Sequence, residues 1–94
     1  MLERDFQAKL IKELNNRFPG CIVYKNDTRQ GLPDLTVLYK NHWALLECKR
    51  EEKAKRQKNQ GYYISIANDM SFARFIFPEN REEVLNELQQ AFES

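Results

Sequence analysis

Ninety-four residues suffice for one small domain, and 41% hydrophobic with 12% aromatic content and no internal repeat excludes both a disordered chain and a repeat array. No apolar run approaches the roughly 18 residues of a membrane span, and the acidic start Met-Leu-Glu-Arg-Asp is unlike a signal peptide, so a cytoplasmic location without membrane contact is expected. The net charge of +1 conceals an asymmetry: residues 49–78 carry seven bases against three acids, whereas five acids from Glu79 onward face only Arg81.

Phe6, Leu10, Ile11, Leu14 and Phe18 recur at helical spacing, and Pro19-Gly20 ends the pattern, predicting a first helix. Cys21 to Tyr24 is a short β-branched run and predicts a strand; the polar stretch Lys25 to Leu32 reads as a loop. Leu35 to Tyr39 and Trp43 to Lys49 are two apolar runs joined by Lys40-Asn41-His42, which predicts an antiparallel hairpin. Gln60, Tyr63, Ile64, Ala67 and Met70 return to helical spacing, and Phe72 to Phe77 forms a last strand closed by Pro78. Asn80 and Glu83 have the spacing of a capping box before a helix faced by Val84, Leu85, Leu88 and Phe92. The order αβββαβα predicts an α/β fold, a small mixed sheet flanked by helices. Cys21 and Cys48 form no CxxC pair and lie in apolar segments, so two buried thiols are expected rather than a disulfide or a zinc knuckle.

Three ionisable residues, Asp34, Glu47 and Lys49, stand where a half-buried hairpin should be apolar. Alternation puts Glu47 and Lys49 on one face, and a two-residue Lys40-Asn41 turn would pair residue 39 with 42 and so 34 with 47. A three-residue loop would instead set Cys48 opposite Asp34. Two carboxylates meeting at a strand end suit a hard cation such as Mg²⁺, and the neighbouring ammonium offsets charge and can orient a water. The one His, placed at a turn, assembles no Ser/His/Asp triad, and three scattered glycines make no phosphate loop, so no nucleotide cofactor is expected. His42 reads as an exposed turn residue and Trp43 as a core aromatic.

Pro33-Asp34, twelve intervening residues and Glu47-Cys48-Lys49 resemble the signature of the PD-(D/E)XK nuclease superfamily. Read with Gly31-Leu32-Pro33-Asp34-Leu35, Leu46-Glu47-Cys48-Lys49 and Asn59-Gln60, the chain is similar over nearly its whole length to the VRR-NUC (virus-type replication-repair nuclease) group, many of whose stand-alone members are encoded by phages or prophages. The resemblance implies that Asp34, Glu47 and the backbone carbonyl of Cys48 hold Mg²⁺, or Mn²⁺ in its place, and that Lys49 positions or activates the attacking water. It implies a cell of bacterial or phage-infected type as the setting, and a Holliday-junction-resolvase-like enzyme. Glu3 shares the stripe of Leu10 and Leu14, and the superfamily's first helix often brings an acid to the metal; a dipole-favoured first-turn acid is the plainer reading. Gln60 precedes Ala67 by one inward period and resembles the family's Gln after the acid-x-Lys strand; its amide would bind a metal-bound water or a phosphate, or simply start the helix.

Lys53, Lys55, Arg56 and Lys58 would rim such a site and contact phosphates, with Lys25 and Arg29 as weaker candidates; solvated charge is the ordinary role of such runs. Tyr62, Tyr63, Ile64, Ile66 and Ala67 make the second helix apolar beyond one stripe, and the remaining surface near Tyr62 and Ile66 predicts a homodimer. The expected function is a metal-dependent, structure-selective DNA endonuclease acting on branched substrates, with no DNA-reading module to select sequence. The competing readings are a non-catalytic nucleic-acid-binding module of the same fold and a small interaction protein.

Overall fold

The computed structural model describes residues 1–27, 31–57 and 59–94. Helix α1 (Glu3–Arg17) buries Phe6, Leu10 and Leu14 along one stripe and stops as Phe18 leaves helical geometry. Strands β1 (Ile22–Lys25), β2 (Leu35–Tyr39) and β3 (His42–Cys48) form an antiparallel meander. Helix α2 (Gln60–Met70) then crosses over to β4 (Phe72–Ile76), which runs parallel to β3, and α3 (Arg81–Glu93) closes the order αβββαβα. The sheet order is β1-β2-β3-β4, so the mixed four-stranded sheet flanked by helices is as the sequence predicts.

Strand alternation divides the sheet into two faces. Leu35, Val37, Ala44, Leu46, Cys48, Phe72 and Ile76 pack with α1 and α3 in the main core, where Phe18, Tyr39 and Phe92 gather their rings. The opposite face carries Asp34, Thr36, Trp43, Leu45 and Glu47, and α2 packs over its β3–β4 half. Over the β1–β2 half of that face Ile22, Tyr24 and Leu38 stay exposed. The hairpin turn is the two-residue Lys40-Asn41 form, with Tyr39 opposite His42 and Lys40 in the left-handed region at φ 56°. Tyr39↔His42 and Leu35↔Leu46 carry the register on to Asp34 opposite Glu47, the first of the two alternatives.

Four local expectations need correction. The Asn80–Glu83 capping box does not form: Asn80 makes no side-chain cap to α3 but accepts from Phe77 N and donates to Phe75 O, tying the end of β4 to the turn. Cys21 is only half-buried, because it precedes β1 rather than starting it, whereas Cys48 is buried; both thiols are free. His42 lies in β3 rather than in the turn, half-buried with its ring stacked on Phe92. Trp43 is half-buried beside Tyr62, Ile66 and Met70 of α2 instead of in the main core, since its position in β3 turns it to the face opposite α1 and α3. Among the described residues no helix is long and apolar enough to cross a membrane.

Candidate active site

At the mouth of β2 and the end of β3, Asp34 and Glu47 interlock. The Asp34 N–H donates to Glu47 Oε1 at 3.0 Å, and the Cys48 N–H donates to Asp34 Oδ2 at 3.1 Å, so each carboxylate is held by the main chain of the other's strand. Glu47 is 2% exposed, while Asp34 is half-buried and opens the pair to solvent. Lys49, two residues on and on the same face, is 6% exposed; its Nζ lies 3.6 Å from Glu47 Oε2 and donates to the Lys55 carbonyl at 3.3 Å. Gln60, at the first turn of α2, points inward as expected: its Nε2 donates to Glu47 Oε2 at 2.7 Å and its Oε1 accepts from Gln57 N at 2.8 Å. Asn59 just before it takes a left-handed φ of 73°, a conformation Asn tolerates, and Gly31 at φ 93° lies against Asn59 and the Tyr63 ring.

The electrostatics follow from burial and crowding. Glu47 is pushed up to about 7, first by burial and then by the Asp34 charge, with Lys49 and the Asp34 N–H opposing. Burial likewise raises the Asp34 carboxyl above its usual value, against the pull of the Cys48 N–H and the Lys49 ammonium. Two carboxylates against one ammonium leave an unbalanced negative charge that a proton or a cation must offset. The donor set fits a hard divalent cation of the Mg²⁺ kind, which takes one or two carboxylates and keeps several waters. Each Glu47 oxygen has accepted one N–H and retains a second lone pair, and Asp34 faces solvent.

The other predicted residues divide. Glu3 is exposed in the first turn of α1, and although its charge adds to the rise at Glu47, no group of three or more His, Cys, Asp or Glu side chains converges to hold a metal among the described residues. Helix α1 begins at Glu3, which leaves its side chain exposed while its charge is felt at both Glu47 and Cys48. The Cys48 thiol points into the α1–α3 core and burial drives its pKa up, which leaves only its main chain at the site. Lys25, Lys53, Lys55 and Arg56 are exposed, Lys25 at the end of β1 opposite Leu35 and the other three on the segment leading to α2. The Arg56 guanidinium stacks 3.8 Å from the centre of the Phe75 ring. Arg29 and Lys58 lie outside the described residues.

The apolar excess of α2 is also in place: Tyr62 is 63% exposed and Met70 71%. Beside them Leu32, Trp43, Leu45, Tyr63 and Ile66 line a shallow groove of about 380 Å³. Asn26, Thr36 and Gln57 were not singled out by the sequence: Asn26 holds the Pro33 carbonyl, Thr36 pairs with the Asn26 side chain, and the Gln57 N–H donates to Gln60 Oε1. The signal for Asn26 and Thr36 lay in the β1–β2 register, which pairs Tyr24 with Thr36 and so sets residue 26 beside 34, but no short turn fixes that register in advance. In comparisons with known proteins, the chain matches no family model, no curated protein and no solved structure.

Proposed function

We propose that this chain is a Mg²⁺-dependent endodeoxyribonuclease of the PD-(D/E)XK superfamily and VRR-NUC type, hydrolysing phosphodiester bonds in DNA selected by its branched structure. The observation that carries the reading is the reciprocal Asp34–Glu47 pair with Lys49 buried beside it. Burying two carboxylates and an ammonium costs folding free energy that an apolar trio would not, and chemistry at the site is the compensating reason. The Asp34 and Glu47 carboxylates, with the Cys48 carbonyl, would hold Mg²⁺ or Mn²⁺. Bound there, the ion supplies Lewis-acid polarisation of a phosphoryl oxygen and a more acidic water.

The chain's own groups do the rest. Lys49, anchored by Glu47 and the Lys55 carbonyl, presents an ammonium that can hydrogen-bond a water or a phosphate oxygen at the open side of the pair. Gln60 fixes the rotamer of Glu47 through Oε2 and holds the basic segment through Gln57 N. Lys53, Lys55, Arg56 and Lys25 supply phosphate contacts along the approach, which position the backbone and carry no sequence information. The exposed Tyr62 and the adjoining Ile66 support a homodimer, in which two such sites would face two strands of a junction; a monomer mass by light scattering at micromolar protein refutes that part alone. The setting that goes with this reading is the cytoplasm of a bacterial or phage-infected cell.

One observation favours a second reading, a non-catalytic nucleic-acid-binding module: both Glu47 oxygens already accept hydrogen bonds, and no third ligand side chain joins the pair among the described residues. Incubating the protein with end-labelled four-way junction, flap, nicked and single-stranded DNA, with Mg²⁺, with Mn²⁺ and with EDTA, separates the two. Cation-dependent cutting supports the nuclease; salt-sensitive binding without cutting, unchanged in Asp34→Ala, supports the module.

A further inference from the structure

We infer that Asn26 is a positioning residue that holds the Pro33–Asp34 peptide, and through it the Asp34 carboxylate, in place; the inference rests on the metal-site reading above. Asn26 follows β1 and is half-buried, and it meets the chain at both sides of Asp34. Its backbone N–H donates to the Asp34 carbonyl at 2.7 Å, extending the β1–β2 ladder by one rung. Its side-chain Nδ2 donates to the Pro33 carbonyl at 2.9 Å and lies 2.8 Å from Thr36 Oγ1. The Thr36 hydroxyl, 7% exposed, donates in turn to Asn26 Oδ1 at 3.1 Å. Since the Pro33 carbonyl can only accept, the amide nitrogen must face it, and the threonine hydroxyl completes the clamp.

The need for a clamp comes from the chemistry of the segment. Pro33 has no N–H and the Asp34 N–H is committed to Glu47, so this peptide has no donor of its own to spare for a neighbouring strand, and Asn26 supplies a donor to each of the two carbonyls flanking the Asp34 α-carbon. The carboxylate is therefore fixed from two directions: Cys48 N holds its Oδ2, and Asn26 holds the peptide from which it projects. A residue of this kind acts on a metal site by orienting a ligand, and loss of such outer contacts typically weakens metal affinity or activity by about 10- to 100-fold.

The test compares wild type, Asn26→Ala, Asn26→Asp and, as a scale for destabilisation alone, Val84→Ala on the far face of the sheet. Three readouts are taken: Mg²⁺ affinity from cation-induced shifts in melting temperature, amide hydrogen exchange of Asp34 and Cys48 in EDTA, and kcat and KM on cleaved DNA. Asn26→Ala should weaken Mg²⁺ binding by about 10-fold or more, speed exchange at both amides, and lower kcat while KM changes within about twofold. Asn26→Asp, of the same size but without the donor, should not rescue, whereas Val84→Ala should melt lower with its Mg²⁺ affinity intact. Wild-type Mg²⁺ affinity and wild-type exchange in Asn26→Ala overturn the inference and leave the metal site standing. A wild type that responds to no divalent cation overturns the metal reading, and the inference falls with it.

Discussion

The crowding of Asp34 and Glu47 makes the cation-free protein lose stability as pH rises, the reverse of an ordinary salt-bridged carboxylate. Glu47 is raised in the fold from 4.5 to about 7, so between these values the folded state binds more protons than the unfolded chain. Stability conferred by the protonated pair is full below pH 4.5 and is lost as pH rises through about 7. At ~1.4 kcal/mol per pH unit the loss from Glu47 is about 3 kcal/mol, and the raised Asp34 acts in the same direction. Urea unfolding in EDTA at pH 5, 6, 7 and 8, on wild type and on Asp34→Asn/Glu47→Gln, isolates the effect as the difference between the two curves. Wild type should fall relative to the double variant by a few kcal/mol across this range, and Mg²⁺ should restore most of the loss at pH 8 but little at pH 5. A difference curve that is flat, or that rises with pH, refutes the electrostatic reading of the site.

Gln60→Ala should destabilise by about 1–3 kcal/mol in chemical denaturation, because Glu47 Oε2 loses a buried donor and Gln57 N its acceptor; cleavage should fall by more than the change in folded fraction. Gly31→Ala should cost about 1–2 kcal/mol from its left-handed φ of 93°, with a further strain because the added methyl would stand 3.2 Å from the Tyr63 ring, and thermal melting reads it. Replacing Lys53 and Lys55 together by Ala should weaken binding to every DNA tested in EDTA and reduce the salt slope by about 2, whereas an unchanged slope would remove them from the interface.

The hairpin was legible because a two-residue turn leaves little freedom: once Tyr39 opposes His42, the meeting of Asp34 with Glu47 follows from alternation alone. The inward aim of Gln60 was legible from its period to Ala67, and both are buried. The helical period put Glu3 on the side of the site, where its charge reaches Glu47 and Cys48, but it does not say how deeply a residue at the helix start is buried, and Glu3 is exposed. The Asn80–Glu83 spacing misled for a related reason, since Asn80 had a nearer competitor in the unpaired groups at the end of β4. Trp43 was misread because a strand face counts as core only where a helix covers it, and α2 covers part of that face. Asn26 could not be read at all: its partners lie seven to ten residues away in sequence, at a separation no local pattern specifies.

Single-turnover cleavage of an end-labelled four-way junction, with Mg²⁺ titrated against wild type and Asp34→Ala, tests the central claim most directly. The account predicts cutting by wild type that saturates with Mg²⁺ and stops in EDTA. It also predicts a loss in Asp34→Ala greater than the roughly 10- to 100-fold that removal of a supporting residue costs, with DNA binding and the folded circular-dichroism spectrum retained. Equal cutting by the two proteins, or cutting by wild type that ignores EDTA, would contradict it.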